Sequence, residues 1–319
     1  MTSEAARVLA VDVGGTKLAA AVVDRAGRVA GAVEVPTPAA DADGLFAALQ
    51  AAIGRSLAAA GLVPEAIAAI GVGCGGPMAY PAGIVSPLNI PGWRDFPLGA
   101  RLAAAYGRPV IVDNDAKAMA LGEYWRGAGQ GARSLLGIVV STGVGGGIVV
   151  EGALLHGARG NAGHVGHVIV EPGGPRCACG ARGCLEAIAA GPSIVRLAGA
   201  ALARGTPSLL RDRAELTAAD VAAAARAGDP LAAALYARAG RALGRGIASA
   251  AALLDLDRVT VGGGVSQAGP LLFDPLRAEL ARRARLSFVR DVAVVPAGLG
   301  RLAGLVGAAA LVFEQGGEQ

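Results

Sequence analysis

Two segments of this 319-residue chain share one layout: an apolar run of strand character, a turn crowded with glycine, and a second apolar run. In the first, Arg7 to Val13 leads through Gly14-Gly15-Thr16-Lys17 into Leu18 to Val23. In the second, Ser134 to Val140 leads through Ser141-Thr142-Gly143-Val144-Gly145-Gly146 into Gly147 to Val150. Each half-chain therefore opens with a hairpin. The repeat predicts duplicated α/β domains with a cleft between them. No Ser/Gly or Pro linker separates the halves, so the boundary is placed at the short polar glycine segment near Gly127 to Arg133. The expected division is residues 1–125 plus 300–319 for an N-terminal α/β domain and 126–299 for a C-terminal one.

Helical and extended patterns alternate after each hairpin. Leu45, Leu49, Ile53 and Leu57 recur at helical spacing and predict a helix over about 42–60. Ala68 to Cys74 reads as a strand, Leu98 to Tyr106 as a helix, and Pro109 to Val112 as a strand running into Asp113-Asn114-Asp115, with a helix following to Tyr124. In the second half, helices are expected near 193–203 and from Thr217, where Thr217 and Asp220 suit a capping box. Leu231, Leu235, Leu243, Ile247 and Leu254 line one face of a long helix in which Gly240 and Gly244 permit close approach of a neighbour. Arg258 to Val261 is a strand ending in Gly262-Gly263-Gly264, and a last helix covers about 302–313.

The hydrophobic fraction of 53% rests on Ala and Val, with 50 glycines and only 3% aromatics, a soluble α/β composition with many tight turns. The longest uncharged stretch, Ala66 to Trp93, is broken by Gly71, Gly73, Gly75, Gly76, Pro77, Pro81 and Pro87, which excludes a membrane helix. Nothing at the N-terminus resembles a secretory signal, and the expected location is cytoplasmic. The net charge of +4 comes from scattered arginines, not from a basic stripe, which argues against nucleic acid as a partner. Lysine is confined to Lys17 and Lys117, both inside the motifs below.

The turn Gly14-Gly15-Thr16-Lys17 offers backbone N–H groups unobstructed by Cβ atoms, a hydroxyl and an ammonium, with Asp12 just before it. Such a turn can wrap phosphate oxygens, as can Ser141 to Gly147. Neither is a Walker A or dinucleotide fingerprint, because each leads into a strand and not a helix. One such turn is more often only a turn; two at matching places, with a third glycine run at 262–264, carry more weight. Asp115 follows a strand of apolar residues, where α/β sheets present functional groups, and reads equally as a proton acceptor or as a helix cap.

The histidines all lie between His156 and His167, and three of the four cysteines follow as Cys177, Cys179 and Cys184. One imidazole and three thiolates, His167 with Cys177, Cys179 and Cys184, form the Cys3His set of structural zinc. The intervening glycines and prolines leave the segment without a core of its own, so a metal would fix its shape. Unmodified buried thiols and disulfides are the competing readings, although Cys177 and Cys179 are too close to bridge each other without strain. Cys74, after a strand-like run, reads as a small buried hydrophobe.

Taken in order, Asp12-x-Gly14-Gly15-Thr16-Lys17, Asn114-Asp115, the 141–147 turn, Gly160 to His167, the cysteine cluster, Cys184-Leu185-Glu186 and Gly262-Gly263-Gly264 resemble the ROK family of sugar kinases and repressors, over about Val8 to Ala309. The resemblance implies a two-domain, actin-like and hexokinase-like ATPase fold, and phosphorylation of a hexose 6-hydroxyl with ATP and Mg2+. It makes Asp115 the general base. Asn89, Asn114, His164, His167 and Glu186 would meet the sugar, with His167 also on zinc. Asp12 would sit near Mg2+ and the phosphates. The turns carrying Gly14, Gly15, Thr16, Lys17, Thr142, Gly143 and Gly145 would surround the phosphates, with Gly262, Gly263 and Gly264 near the adenosine. A homodimer or higher homo-oligomer is the family's usual state.

One position departs from the pattern. His164 stands where the sugar kinases have a Glu that accepts hydrogen bonds at the anomeric end of the sugar. A carboxylate only accepts, whereas a neutral imidazole accepts once and donates once, so the substrate is expected to differ from glucose at C1 or C2. Lys117 stands where the family often has Asn or a small residue, and is read as less consequential. A repressor of the same family would carry a helix-turn-helix ahead of Asp12, where eleven residues stand. A sugar-binding sensor without catalysis is the alternative His164 suggests, and polyphosphate is an alternative donor. The retained Asp115 and phosphate turns favour the kinase.

Overall fold

The structure, a computed structural model, describes residues 6–211, 213 and 215–315. The chain packs as two units. One comprises the chain up to Gly131, Gly147–Gly163 and the chain from Gly298 onward; the other comprises Ala132–Gly146 and His164–Ala297. The expected division lies at 125/126 and 299/300; the units divide at 131/132 and 297/298, and the segment 147–163 packs with the N-terminal unit, a tertiary choice that local sequence does not encode.

In the first unit, β1 (Arg7–Val13), β2 (Lys17–Asp24), β3 (Val29–Pro36), β4 (Ala69–Cys74) and β7 (Val110–Asn114) form a sheet of order β3-β2-β1-β4-β7. The hairpin strands pair antiparallel, and β1, β4 and β7 run parallel. Strand β4 is buried at all six positions, as expected of a central parallel strand covered on both faces. Strand β3 alternates half-buried with exposed residues and forms the edge. A two-stranded ribbon, β5 (Met78–Ala79) with β6 (Ile84–Val85), follows β4.

Helix α1 (Ala42–Ala59) is capped by Asp41, whose carboxylate accepts from Gly44 N, and buries Leu45, Leu49, Ile53 and Leu57 against β2 and β3. Helices α2 (Leu98–Tyr106) and α3 (Asp115–Arg126) flank β7 in sequence. The last helix, α10 (Ala303–Gln315), packs on β1, β4 and α3. The approach is close because glycine stands at each crossing. A Cβ on Gly71 would strike the Ala308 carbonyl, and one on Gly122 would lie 2.8 Å from Gly307 Cα.

The other five-stranded sheet has the order β10-β9-β8-β11-β12, built from β8 (Ser134–Val140), β9 (Val144–Val150), β10 (Ala153–Leu154), β11 (Arg258–Gly262) and β12 (Ala293–Pro296). Strand β11 is parallel to both β8 and β12. Helices α4 (Glu186–Ala189), α5 (Gly191–Ala203), α6 (Ala218–Arg226), α7 (Pro230–Leu254), α8 (Pro270–Arg283) and α9 (Ser287–Arg290) belong to the second unit, as do β8, β11 and β12. Thr217 and Asp220 form the predicted capping box. Gly240 and Gly244 admit α8: Cβ atoms there would collide with Leu272 and Leu276 carbonyls. Among the described residues no helix is long and apolar enough to cross a membrane.

Candidate active site

The parallel register of the first unit brings three strand ends to one edge. Asp12 pairs with Gly73 and Val13 with Cys74, while Gly73 pairs with Asp113 and Cys74 with Asn114. The residues that follow these strands therefore meet beyond the carboxyl edge of the sheet, where α/β folds bind ligands. Absence of side chains makes the room. A Cβ on Gly15 would lie 2.7 Å from Asn89 Cβ, and one on Gly76 would contact the Asn114 amide nitrogen at 3.6 Å. On Gly73 it would lie 3.5 Å from Asp115 Cα. Asn89, Asn114 and Asp115 are thus packed around the glycines of β4 and of the β1–β2 turn.

Each of these side chains is held by its own local chemistry. Asn114 is the N-cap of α3, its side-chain oxygen accepting from Ala116 N at 3.1 Å and Lys117 N at 3.3 Å. The helix cap is therefore Asn114 and not Asp115, which is the first residue of α3, with Oδ1 accepting from Ala116 N at 2.8 Å. This leaves the functional reading of Asp115 without its main structural competitor. The Asn89 segment is pinned by Trp93, fully buried, whose indole N–H donates to Ala42 O at 3.1 Å. Arg94 adds hydrogen bonds to the carbonyls of Pro87 and Ile90, both at 2.9 Å.

Asp12 ends β1 beside this group. Burial, then the neighbouring Asp115 carboxylate, pushes its pKa up to about 6. The Lys17 ammonium pulls the other way but does not offset burial and Asp115, and a divalent cation would supply the further positive charge. Gly304, in the first turn of α10, lies directly against the Asp12 carboxylate and has no room for a side chain. The β1–β2 turn is closed by Gly14 N donating to Lys17 O at 2.9 Å and anchored by Thr37 Oγ1 donating to Gly14 O at 2.7 Å. The Lys17 ammonium bonds Glu34 on β3 at 2.8 Å, an exposed pair that adds little to stability.

In the second unit the β8–β9 turn carries Thr142 and Gly143, while Gly145, expected in the turn, lies in strand β9. Glu186, opening α4, accepts from Val144 N at 2.9 Å, and a Cβ on Gly143 would lie 2.8 Å from the same carboxylate oxygen. One oxygen of Glu186, expected on the sugar, is thus engaged with the turn. Gly262 pairs with Val139, so the 262–264 run leaves the sheet beside the end of β8. Gly263, at φ +90°, sits against the Val140 backbone where no other residue fits.

His167, Cys177, Cys179 and Cys184 converge, their ligand atoms all within 4.8 Å of one another. Cys179 Sγ lies 3.7 Å from Cys184 Sγ, and Cys177 Sγ 3.8 Å from His167 Nδ1. A tetrahedral ion with bonds of about 2.3 Å to sulfur requires S···S separations of about 3.8 Å, so the donor set fits zinc. Burial, then the neighbouring thiols, pushes Cys184 up to about 12, and a cation is what would hold it as thiolate. The loop is a small hairpin in which Cys177 N donates to Ala181 O and Gly183 N to Pro175 O, both at 2.8 Å. Glu171 ties it to α7 through Arg238 and Arg245. His164 opens the turn that delivers His167, its carbonyl accepting from His167 N at 3.1 Å. Cys74 is buried, and burial raises its thiol well above the usual range.

Comparison with known proteins places the chain. The ROK family profile matches residues 8–315, and the chain belongs to the ROK family. It is 38% identical over 312 residues to a glucokinase of Halalkalibacterium halodurans, covering 96% of this chain and 94% of that one. It is 40% identical over 304 residues to an N-acetylmannosamine kinase of Citrobacter koseri, covering 95% and 97%. Its fold is similar to that of a ROK family glucokinase from Streptomyces griseus in complex with glucose and AMPPNP. That match has a TM-score of 0.82 at 38% identity and covers 96% of this chain and 98% of that one.

Proposed function

We propose that this protein is an ATP-dependent sugar kinase that phosphorylates a hexose or hexose-like sugar at its 6-hydroxyl. The observation that carries this is the carboxyl edge of the first sheet, where Asn89, Asn114 and Asp115 are packed together beside Asp12 and a glycine turn. Family membership and kinase relatives of near-equal length support it. Asp115 accepts the proton of the 6-hydroxyl as its oxygen bonds to the γ-phosphorus and the bond to the bridging oxygen of ADP breaks. Asn89 and Asn114 orient the sugar; His164, His167 and Glu186 are the second unit's candidates for the same task. Gly15 and Thr16 of the first turn and Thr142 and Gly143 of the second offer their backbone N–H groups to phosphate oxygens, those of Gly14 and Val144 being bonded within the protein, and Gly262–Gly264 face the adenosine. Positioning and charge neutralisation are most of what phosphoryl transfer asks of a protein.

Mg2+, when bound near Asp12, would neutralise phosphate charge, and zinc on His167, Cys177, Cys179 and Cys184 would hold the loop that carries His167 and precedes Glu186. About one zinc per chain is expected on metal analysis. Cys179→Ser, which alters an exposed ligand and not the core, is expected to release the metal and lose most activity. Full activity in a zinc-free protein would refute this role.

The relatives name two sugars, glucose and N-acetylmannosamine, which differ at C2. Turnover of purified protein with ATP and Mg2+ on both sugars, and on mannose, N-acetylglucosamine and allose, tests the proposal. Sugar binding without phosphorylation of any of them would favour the sensor instead. His164 is the candidate discriminator. His164→Glu is expected to raise kcat/KM for glucose relative to the preferred sugar by about ten- to a hundredfold, the effect of one hydrogen bond to a charged group. An equal loss on every sugar, with zinc released, would mean that His164 supports the metal loop instead.

A further inference from the structure

Lys117, one of only two lysines, is fully buried in the first turn of α3. A helix N-terminus disfavours a cation, and a buried ammonium is tolerated only with its hydrogen-bonding capacity met. The ammonium has three donors and makes three contacts: Asp113 Oδ1 at 2.7 Å, His156 Nδ1 at 3.1 Å and the Gly160 carbonyl at 3.1 Å. His156 Nδ1 also lies 3.2 Å from Asp113 Oδ2, and its Nε2 lies 3.2 Å from Tyr80 Oη; the two rings stack with centroids 4.2 Å apart.

The node joins three distant stretches of the first unit. Asp113 Oδ1, besides meeting Lys117, accepts from Asn114 N at 2.7 Å, so the ammonium also fixes the peptide that presents Asn114 and Asp115. His156 and Gly160 bracket a loop closed by Ala162 N donating to His156 O at 2.9 Å, and that loop leads through Gly163 into His164. Gly160, at φ +77°, has Tyr80 Cβ where its own Cβ would stand only 2.5 Å away. A buried ion pair adds little stability over apolar residues of the same size. What Lys117 supplies is a fixed geometry across these three stretches.

We propose that Lys117, with Asp113 and His156, is a positioning residue for sugar binding: it locks residues 155–163 to the strand end bearing Asn114 and Asp115. The proposal rests on the reading of those two residues as sugar-facing. It is tested by comparing wild type with Lys117→Met, the double variant Asp113→Asn/Lys117→Met, and His156→Ala, which keeps the ion pair. Lys117→Met leaves the buried Asp113 carboxylate without its ammonium partner, so its Tm should fall along with its activity. The double variant removes that orphan charge. Its Tm should largely recover, while the sugar KM stays raised about tenfold, the ATP KM stays within about twofold, and amides of 155–163 exchange faster. Recovery of the sugar KM together with Tm, or an equal rise in both KM values, overturns the proposal. Should the double variant not fold, His156→Ala decides: a raised sugar KM alone supports the proposal and an unchanged one overturns it. A wild type that phosphorylates no sugar would count against the proposed function, while unchanged loop exchange in a folded variant would count against the node.

Discussion

Asp115→Asn is expected to lower turnover by about a hundred- to ten-thousandfold while sugar and nucleotide affinities change little, because the amide keeps the shape of the carboxylate and loses its proton affinity. The substitution should also be well tolerated by the fold. Asn114 and not Asp115 caps α3, so no helix terminus is sacrificed. Single-turnover measurements, which isolate the chemical step, provide the check. Retention of more than about a tenth of wild-type turnover under those conditions would remove Asp115 from the role of base.

Asp12→Asn should abolish most activity and at the same time stabilise the protein. The folded-state pKa of Asp12 is raised to about 6 from an ordinary value of 3.8, so between these values the folded state holds a proton that the unfolded state releases. Stability from this group is therefore present below pH 4, falls as pH rises towards 6, and is fully lost above that. The asparagine does not titrate. Its advantage over wild type should be small at pH 4 and grow to at most about 3 kcal/mol at pH 8, an upper bound set by the size of the shift. Thermal melts across this range, without nucleotide or divalent cation, measure the difference. A constant offset at all pH values would show that Asp12 does not carry the strain assigned to it. Adding Mg2+ and ATP should stabilise wild type more than the variant, since the carboxylate is then partnered.

The hairpins, the helices and the strand ends were legible because their signals are local. Leu45, Leu49, Ile53 and Leu57 specify a face of α1 by spacing alone, and Thr217 with Asp220 writes a helix start in four residues. Strand β3 escaped notice because its alternation is built from Ala, Gly and Val, with little contrast between faces. Helix α8 was obscured by Pro275 in its interior and by a weakly one-sided pattern. At the site, the motif residues could be named, but not the partners that hold them. Lys117 and Asp113 carry charges that ordinarily mark solvent, and their burial depends on His156 and Gly160, about forty residues further along the chain. Gly304 bears no motif at all. Its place against Asp12 follows from where α10 docks, which only long-range packing decides.

That docking fixes an order of events during synthesis. Helix α10 covers β1 and β4 and lies against α3, and Glu123 of α3 fastens the segment before it by accepting from Gly298 N and Leu299 N, both at 2.9 Å. The whole of Ala132–Gly146 and His164–Ala297 is translated before this helix emerges. A nascent chain makes about 5–20 residues per second, so the first sheet waits on the order of ten seconds or more with an apolar face uncovered. During that interval the inserted unit can complete its own core, while the face of the first sheet that shares Asp12 and Gly71, and bears Val8, Ala10 and Val23, awaits its cover. Ribosome-bound chains stalled before Ala303 should accordingly be protease-sensitive in residues 6–126 and resistant in 164–297.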